Sequence, residues 1–394
     1  MKLKLLTAGV VFFILKFQLL FLFYLRFIDR PVTEIEAKVV NQYKKKNYYV
    51  LKLKNKNLTF YTINRDNLKN LLNDNIKIKI FTKNLTFYGF LTTFYATSFD
   101  LKLMPLSFFE ALIEKQHKST EISNLFKALF LGESIDYNTR KKLSALGISH
   151  LFALSGLHLG FISLFLYFLF LPFYNFFHKK FPFRNRYIDL GIIILFIEFL
   201  YLCFTNFPPS LIRAFFMEVI LFIFAFSLQN ILSVKVLIFT IVLAFLIFTF
   251  KILSLGFLLS ILGVYYIYLF FRYFKFNFLN GIFLSFYMFI AMFVWGHYFF
   301  GNMNNYQLLS PFVNIAFPFF YATELLLHLL GFGGLMDNLI IKYLSLGEKF
   351  YYINVNVLFL SIFAFLSFIA FKKKWAFYGI NLLAVIVLIG SIRI

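Results

Sequence analysis

Two histidines, three serines and three glycines fall within residues 144–160, which read SALGISHLFALSGLHLG. Neutral imidazoles can donate to phosphate oxygens or shuttle protons, so His150 and His158 suit either task. Ser155 and His158, three residues apart, could instead begin a serine hydrolase. That chemistry also needs an orienting group and an oxyanion hole, and the sequence identifies neither. The competing expectation is structural. Gly156-x-x-x-Gly160 is a close-packing pattern for membrane helices, beside which Ser and His bond between helices. No Asp, Glu or Cys stands close enough to complete a metal set, so no metal or other cofactor is expected, and no catalytic residue.

Charges inside apolar runs come next. Glu198, Arg213, Glu218, Lys251 and Glu324 lie within or at the ends of such runs. Residues of this kind face a bundle interior or an aqueous path. Arg213 could pair with Glu198 or Glu218, or bind a phosphate-bearing substrate in bidentate fashion.

Residues 30–105 differ in kind. They are polar and carry 14 Lys and Arg against five acids. Lys44, Lys45, Lys46, Lys52, Lys54 and Lys56 interleave with Tyr48, Tyr49 and other aromatics. Cations that track a backbone and rings that stack on bases are the chemistry of single-strand binding; the bland alternative is a solvated lysine-rich face.

These residues must be positioned by a membrane protein. The 394 residues are 61% hydrophobic and 14% charged, and long nearly uncharged runs recur from Ile148 onward. Each can cross a hydrocarbon core that takes about 20 helical residues. Net charge is +22, and the lone Cys203 permits no disulfide within the chain. The expected architecture is a polytopic α-helical membrane protein with a small OB-like β-barrel near the N-terminus. Residues 1–29 read as an uncleaved anchor with a cytoplasmic N-terminus. Residues 30–105 read as an extracytoplasmic barrel with strands near 35–40, 48–54, 58–63, 76–81 and 87–96. Residues 106–147 read as amphipathic interfacial helices, and residues 148–394 as the transmembrane domain, its first span beginning at Ile148.

Basic loops at Lys179–Arg186, Arg272–Lys275 and Lys372–Lys374 should all be cytoplasmic. Alternating spans satisfy this up to Phe300 and then miss by one crossing. Residues 308–330, with Pro311 and Pro318, therefore read as re-entrant or broken; the alternative is that residues 335–350 cross.

The run Gly147-Ile-Ser-His150-Leu-Phe-Ala-Leu-Ser155-Gly156-Leu-His158 resembles the signature of the ComEC competence proteins, inner-membrane channels for DNA in natural transformation. Leu131-Gly132-Glu133, Pro209-Ser210-Leu-Ile-Arg213-Ala214, Gly256-Phe-Leu-Leu-Ser260 and Asn314-Ile-Ala-Phe-Pro318 resemble further family elements in the same order. The resemblance implies a bacterial inner-membrane channel passing single-stranded DNA. His150, Ser155, Gly156, His158, Gly160, Arg213, Asn314 and Pro318 would shape its path. It implies as partners a cytoplasmic ATPase, helicase or DNA-binding protein, a periplasmic DNA receptor, membrane lipids and further copies of the chain. No phosphate-binding loop motif is present, so a motor must be supplied from outside. Many members end in a metallo-β-lactamase-like domain that these residues do not contain. A flippase or transporter for another anion is the rival expectation, and the hydrolase a weaker one.

Overall fold

The computed structural model describes residues 2–45, 48–55, 58–64, 71–83, 85–181, 183–225, 234–248 and 254–392. Lys46, Lys56 and Lys251 lie outside the described residues. Helix α1 (Lys2–Ile28) leads into β1 (Val32–Lys44), β2 (Tyr49–Lys54), β3 (Thr59–Asn64) and β4 (Asn75–Phe81). Alternation decides which face each strand buries. Ile35, Ala37 and Val39 of β1 meet Leu51, Leu53, Phe60, Ile76, Ile78 and Ile80 in one core, while the intervening charges point outward. β1 is long because it serves two partners, β4 along its first half and β2 along its second, with a bulge between Val39 and Asn41.

Two expectations for this region are corrected. The fifth strand does not begin at Phe87. Residues Phe87–Leu91 form a short helix, α2, started by Thr86, whose hydroxyl accepts from the Gly89 N–H. Phe87 and Phe90 pack on Phe17, Phe21, Tyr24 and Phe27 of α1, a contact that helical spacing permits and strand alternation does not. Strands β5 (Phe94–Tyr95) and β6 (Ser98–Leu103) follow. The sheet is also open rather than a closed barrel, with order β5-β3-β2-β1-β4-β6. β3 and β6 come close, with the Thr62 and Ser98 hydroxyls 2.5 Å apart, but form no ladder.

Helices α3 (Phe108–Glu114), α4 (Thr120–Leu131) and α5 (Tyr137–Ala145) follow, started by Ser107, Ser119 and Asp136. Their apolar faces share a core with α12 (Ser310–Leu330) and α13 (Asp337–Ser345), through Leu125, Phe126, Leu129, Phe317, Tyr321 and Leu344. The remaining helices are α6 (Gly156–His178), α7 (Arg186–Phe204), α8 (Pro209–Ala225), α9 (Val234–Phe248), α10 (Leu255–Tyr273), α11 (Phe278–Phe299), α14 (Val357–Ala370) and α15 (Lys374–Ser391). Among the described residues six helical segments are long and apolar enough to span: α6, α7, α10, α11, residues 305–330 and α15. The chain is a multi-pass membrane protein.

Residues 305–330 have the length to cross, yet the flanks of the longer stretch 304–350 lie together. β7 (Asn302–Met303) pairs antiparallel with β8 (Tyr351–Tyr352), and Asn304 Nδ2 donates to the carbonyls of Leu346 and Lys349. The end of α11 and the start of α14 are thus on one face. Ser285 donates to the Pro311 carbonyl at 2.9 Å. Ser285 lies about 21 Å below the end of α11 at 1.5 Å per residue, so α12 starts part-way down the bundle. It ends against the α3–α4 loop, where Gln116 Nε2 donates to the His328 carbonyl. Residues 304–350 thus leave and return to one end of the bundle, and α12 runs unbroken through Pro318. α13, with nine residues, spans about 14 Å and does not cross either.

Candidate functional site

The helix that follows the α3–α5 segment does not start at Ile148. Residues 146–155 form a loop, turned at Gly147 (φ 71°), and Ser155 is the residue before α6. A side chain at position 147 would stand 2.7 Å from Gln307 Cγ, so only glycine fits that crossing. His150 and Ser155 therefore lie off the helix that carries Gly156, His158 and Gly160.

Three of the separated sequence elements singled out above converge on this loop. From α12, Asn314 Oδ1 meets His150 Nε2 at 3.1 Å. Pro318, one turn on, lacks the N–H that would bond the Asn314 carbonyl. From the start of α8, Ser210 donates to the Leu154 carbonyl at 2.5 Å. From the end of α4, Gly132 (φ 72°) sits where an added methyl would be 2.9 Å from Leu154 Cδ1. Gly156 lets α6 and α8 approach: a methyl there would be 3.3 Å from Ala214 Cβ and 3.8 Å from Arg213 Nη2. Gly160 has open space instead.

Arg213 is only 7% exposed. Its Nε donates to Ser260 Oγ at 2.7 Å and its Nη1 to Met217 Sδ at 3.0 Å. Ser260 comes from the Gly256–Ser260 element, whose part in the site the sequence did not reveal. The expected alternative of a pair with Glu198 or Glu218 is not formed. Those two carboxyls converge on Ser163 of α6, and no ion pair to Arg213 occurs among the described residues. A buried guanidinium without a carboxylate, beside the N-terminus of α6, is an anion-binding arrangement.

Ser155 Oγ and His158 Nδ1 are 3.0 Å apart. The Ser155 backbone N–H also points at Nδ1, at 3.2 Å, so Nδ1 is an acceptor and the ring proton sits on Nε2. Nε2 is buried and meets no hydrogen-bond partner among the described residues, and the ring stands edge-on to Tyr321, centroids 4.8 Å apart. Among the described residues, the His158 ring meets Ser155 and no carboxylate.

Above the loop, Lys38 of β1 bridges two carboxylates, Glu110 on α3 and Glu133 at the end of α4. These join the sheet to the membrane-face helices beside a cavity of about 540 Å³, lined among others by Lys54, Asn75 and Asn206. Burial pushes the Glu133 carboxyl up to about 7. Burial opposes charge on Glu110 too, but its hydrogen bonds with Glu133 and Lys38 prevail and hold it at about 2. The outer sheet face is only partly available. Lys77 pairs with Glu34 at 3.0 Å and Lys79 with Asp100 at 2.7 Å. Lys52 and Lys54 have no acidic partner among the described residues, and Lys52 Nζ stands 5.5 Å from the Tyr61 ring. Lys44 and Lys45 are exposed, and Tyr48 and Tyr49 half-buried.

Glu324 belongs to a second buried chain that the sequence did not suggest. Asp337 Oδ1 meets His117 Nδ1 at 2.8 Å, and His117 Nε2 meets His328 Nε2 at 3.0 Å. His328 Nδ1 then reaches the Glu324 carbonyl at 2.7 Å. Burial lowers the His117 pKa. The chain locks the α3–α4 loop onto the end of α12.

A family model described as Competence protein matches residues 129–393. No curated protein and no solved structure matches this chain.

Proposed function

We propose that this chain, which belongs to the competence protein family, forms the bacterial inner-membrane path by which single-stranded DNA enters the cytoplasm in natural transformation. The observation that carries the reading is Arg213, a buried guanidinium with no carboxylate partner among the described residues, held by Ser260 beside the loop on which three separated elements converge. A phosphate entering there would replace part of its hydration with Nη donors and with the positive end of α6.

The open sheet acts as the capturing surface, in the place of an OB-like barrel. Lys52, Lys54 and Tyr61 offer phosphate and base contacts on one face. The sheet domain is extracytoplasmic and the N-terminus cytoplasmic. This orientation puts Lys179, Lys180, Arg184, Arg272, Lys275 and Lys372–Lys374 on the inside, as positive loops require.

The chain acts as a channel and not as an enzyme. An inside-negative potential opposes each inward phosphate by about 2.3 kcal/mol per 100 mV. Contacts cannot remove that work, so a cytoplasmic ATPase, helicase or DNA-binding protein pulls or traps the strand. A periplasmic receptor delivers DNA to the sheet. A flippase for another anion would use Arg213 equally but leave the basic sheet face without a role. The test is transformation frequency in a deletion strain complemented with Arg213→Gln. Loss of one charge-assisted contact, about 1.5–3 kcal/mol, predicts a fall of roughly 10- to 100-fold. Unchanged transformation, with the variant present in the membrane, overturns the reading.

A further inference from the structure

We infer that Ser163, Glu198 and Glu218 form a proton-binding site inside the membrane domain, holding at least one exchangeable proton at neutral pH. Hydrogen-bond bookkeeping carries this. Three oxygens surround the Ser163 hydroxyl: the Leu159 carbonyl at 2.9 Å, Glu218 Oε1 at 2.6 Å and Glu198 Oε1 at short range. A hydroxyl has one hydrogen and two lone pairs. A carbonyl and an ionised carboxylate only accept. With both carboxyls ionised, three acceptors would compete for one hydrogen. With both protonated, the two acids donate to the lone pairs of Ser163 Oγ and its own hydrogen goes to the Leu159 carbonyl, so all three contacts are satisfied. With one protonated, two hydrogens serve the three contacts, one more than in the fully ionised state.

Two further observations point to a ligand. Glu198 is 0% exposed, and its Oε2 meets no hydrogen-bond partner among the described residues. An ionised carboxylate in that position would be an uncompensated buried charge. Ser163 and Glu218 also line a crevice of about 380 Å³ between α6, α7 and α8, with Gly160, Tyr167, Gly191 and Phe222. Gly191 is required there, because an added methyl would fall 2.2 Å from the Phe222 ring. The crevice gives the buried pair a route for exchange.

The bound species is a proton rather than a metal ion. Oxygens 2.6 Å apart share a hydrogen. Oxygens ligating one small cation in octahedral geometry spread to about 3 Å. No set of three or more His, Cys, Asp or Glu suited to a metal occurs among the described residues. The basic groups on the surrounding elements are His158 and His178 on α6, Arg186 on α7, Arg213 on α8, Arg272 on α10 and His328 on α12; His178, Arg186, Arg272 and His328 meet Arg184, Tyr187, Phe371 and His117. The remaining titratable groups there, including Asp189, Glu324, Tyr167, Tyr201, Tyr268 and Tyr321, carry no positive charge. His158 is turned to Ser155, Arg213 to Ser260, and the Tyr201 hydroxyl donates to the Phe130 carbonyl. The described side chains of α9 include no titratable group. None of these neutralises the pair, so the proton must.

The experiment is infrared difference spectroscopy of the full chain in lipid vesicles, reading the carbonyl stretch of protonated carboxylic acids through a change from H₂O to D₂O. Wild type minus Glu218→Gln, and wild type minus Glu198→Gln, should each show a protonated-carboxyl band at pH 7 that shifts in D₂O. Glu218→Asp, which keeps the acid, should retain a band and controls for folding. Absence of the band from both differences shows two ionised carboxyls and overturns the proposal. A band that never shifts in D₂O shows a sealed structural acid and also overturns it. So does loss of the band on adding Na⁺ at constant pH, which would make the ligand a metal cation.

Discussion

The backbones of Asn302 and Tyr352 pair across β7 and β8, which brings the end of α11 and the start of α14 to one membrane face. Arg272 lies 4.5 Å from the Phe371 ring and Tyr273 donates to the Ala370 carbonyl, so the opposite ends also meet. The basic loops at 272–275 and 372–374 then share a face. The crossing that simple alternation could not place is absorbed by α12 and α13, which return to the face they left.

That topology predicts labelling by a membrane-impermeant thiol reagent. In a Cys203→Ser background, Lys45→Cys and Lys349→Cys should label from the same side of sealed vesicles. Lys373→Cys should label only from the other side. Labelling of Lys349→Cys and Lys373→Cys from one side would mean that α12 crosses.

The ion pairs on the sheet predict which lysines meet a strand. Lys77 and Lys79 are occupied by Glu34 and Asp100, whereas Lys52 and Lys54 are not. In salt titrations of single-strand binding to the full chain in vesicles, Lys52→Ala and Lys54→Ala should each lower the logarithmic salt slope by roughly 0.7. Lys77→Ala and Lys79→Ala should leave it nearly unchanged. Equal effects at all four would sink the idea of one selected face.

Ser260 holds the Arg213 guanidinium in place. Ser260→Ala removes the acceptor that holds Nε, and a guanidinium misplaced by a fraction of an ångström loses bidentate geometry. Transformation should fall roughly 5- to 30-fold, about 1–2 kcal/mol for the lost bond. Ser260→Thr should recover most of it. A fall that Ser260→Thr shares equally would indicate a packing defect instead.

What could be read from the chain depended on the range of the interactions. Alternation in residues 76–81 placed β4 because burial there is decided within the strand. Apolar length placed most membrane helices for the same reason. Phe87–Leu91 misled because its rings answer to α1, some sixty residues earlier, and not to local alternation. Loop 146–155 misled because an apolar run cannot reveal that Leu154 and His150 are held by Ser210 and Asn314. Arg213 was identifiable as an unusual charge, but its partner was not. Glu198 and Glu218 lay near enough in sequence to be the natural choice, and both bind Ser163. Lys38 and Glu110 were missed because each looks like an ordinary surface charge until the sheet docks, and Glu133, though part of the Leu131-Gly132-Glu133 element, gave no sign of these partners.

That docking should depend on pH, and the sign follows from the two carboxyls. Glu133 is pushed up to about 7 by burial, from an ordinary value of 4.5. Between those values the docked state keeps a proton that the undocked chain has released. Docking therefore weakens as pH rises through this window, and the full loss is present above about 7. Glu110 works oppositely. Held at about 2, it stays ionised when docked, and its contribution is lost as pH falls below 4.5. The joint between sheet and membrane helices is thus tightest near pH 5. Passing from pH 5 to 8 should cost on the order of 2–3 kcal/mol. Spin labels at Lys44→Cys and Tyr137→Cys, in a Cys203→Ser background, report the separation. The distance distribution should be narrow at pH 5 and broaden at pH 8. Glu133→Gln, neutral throughout, should stay narrow at both. Broadening in Glu133→Gln equal to that of the parent would show that another group governs the joint.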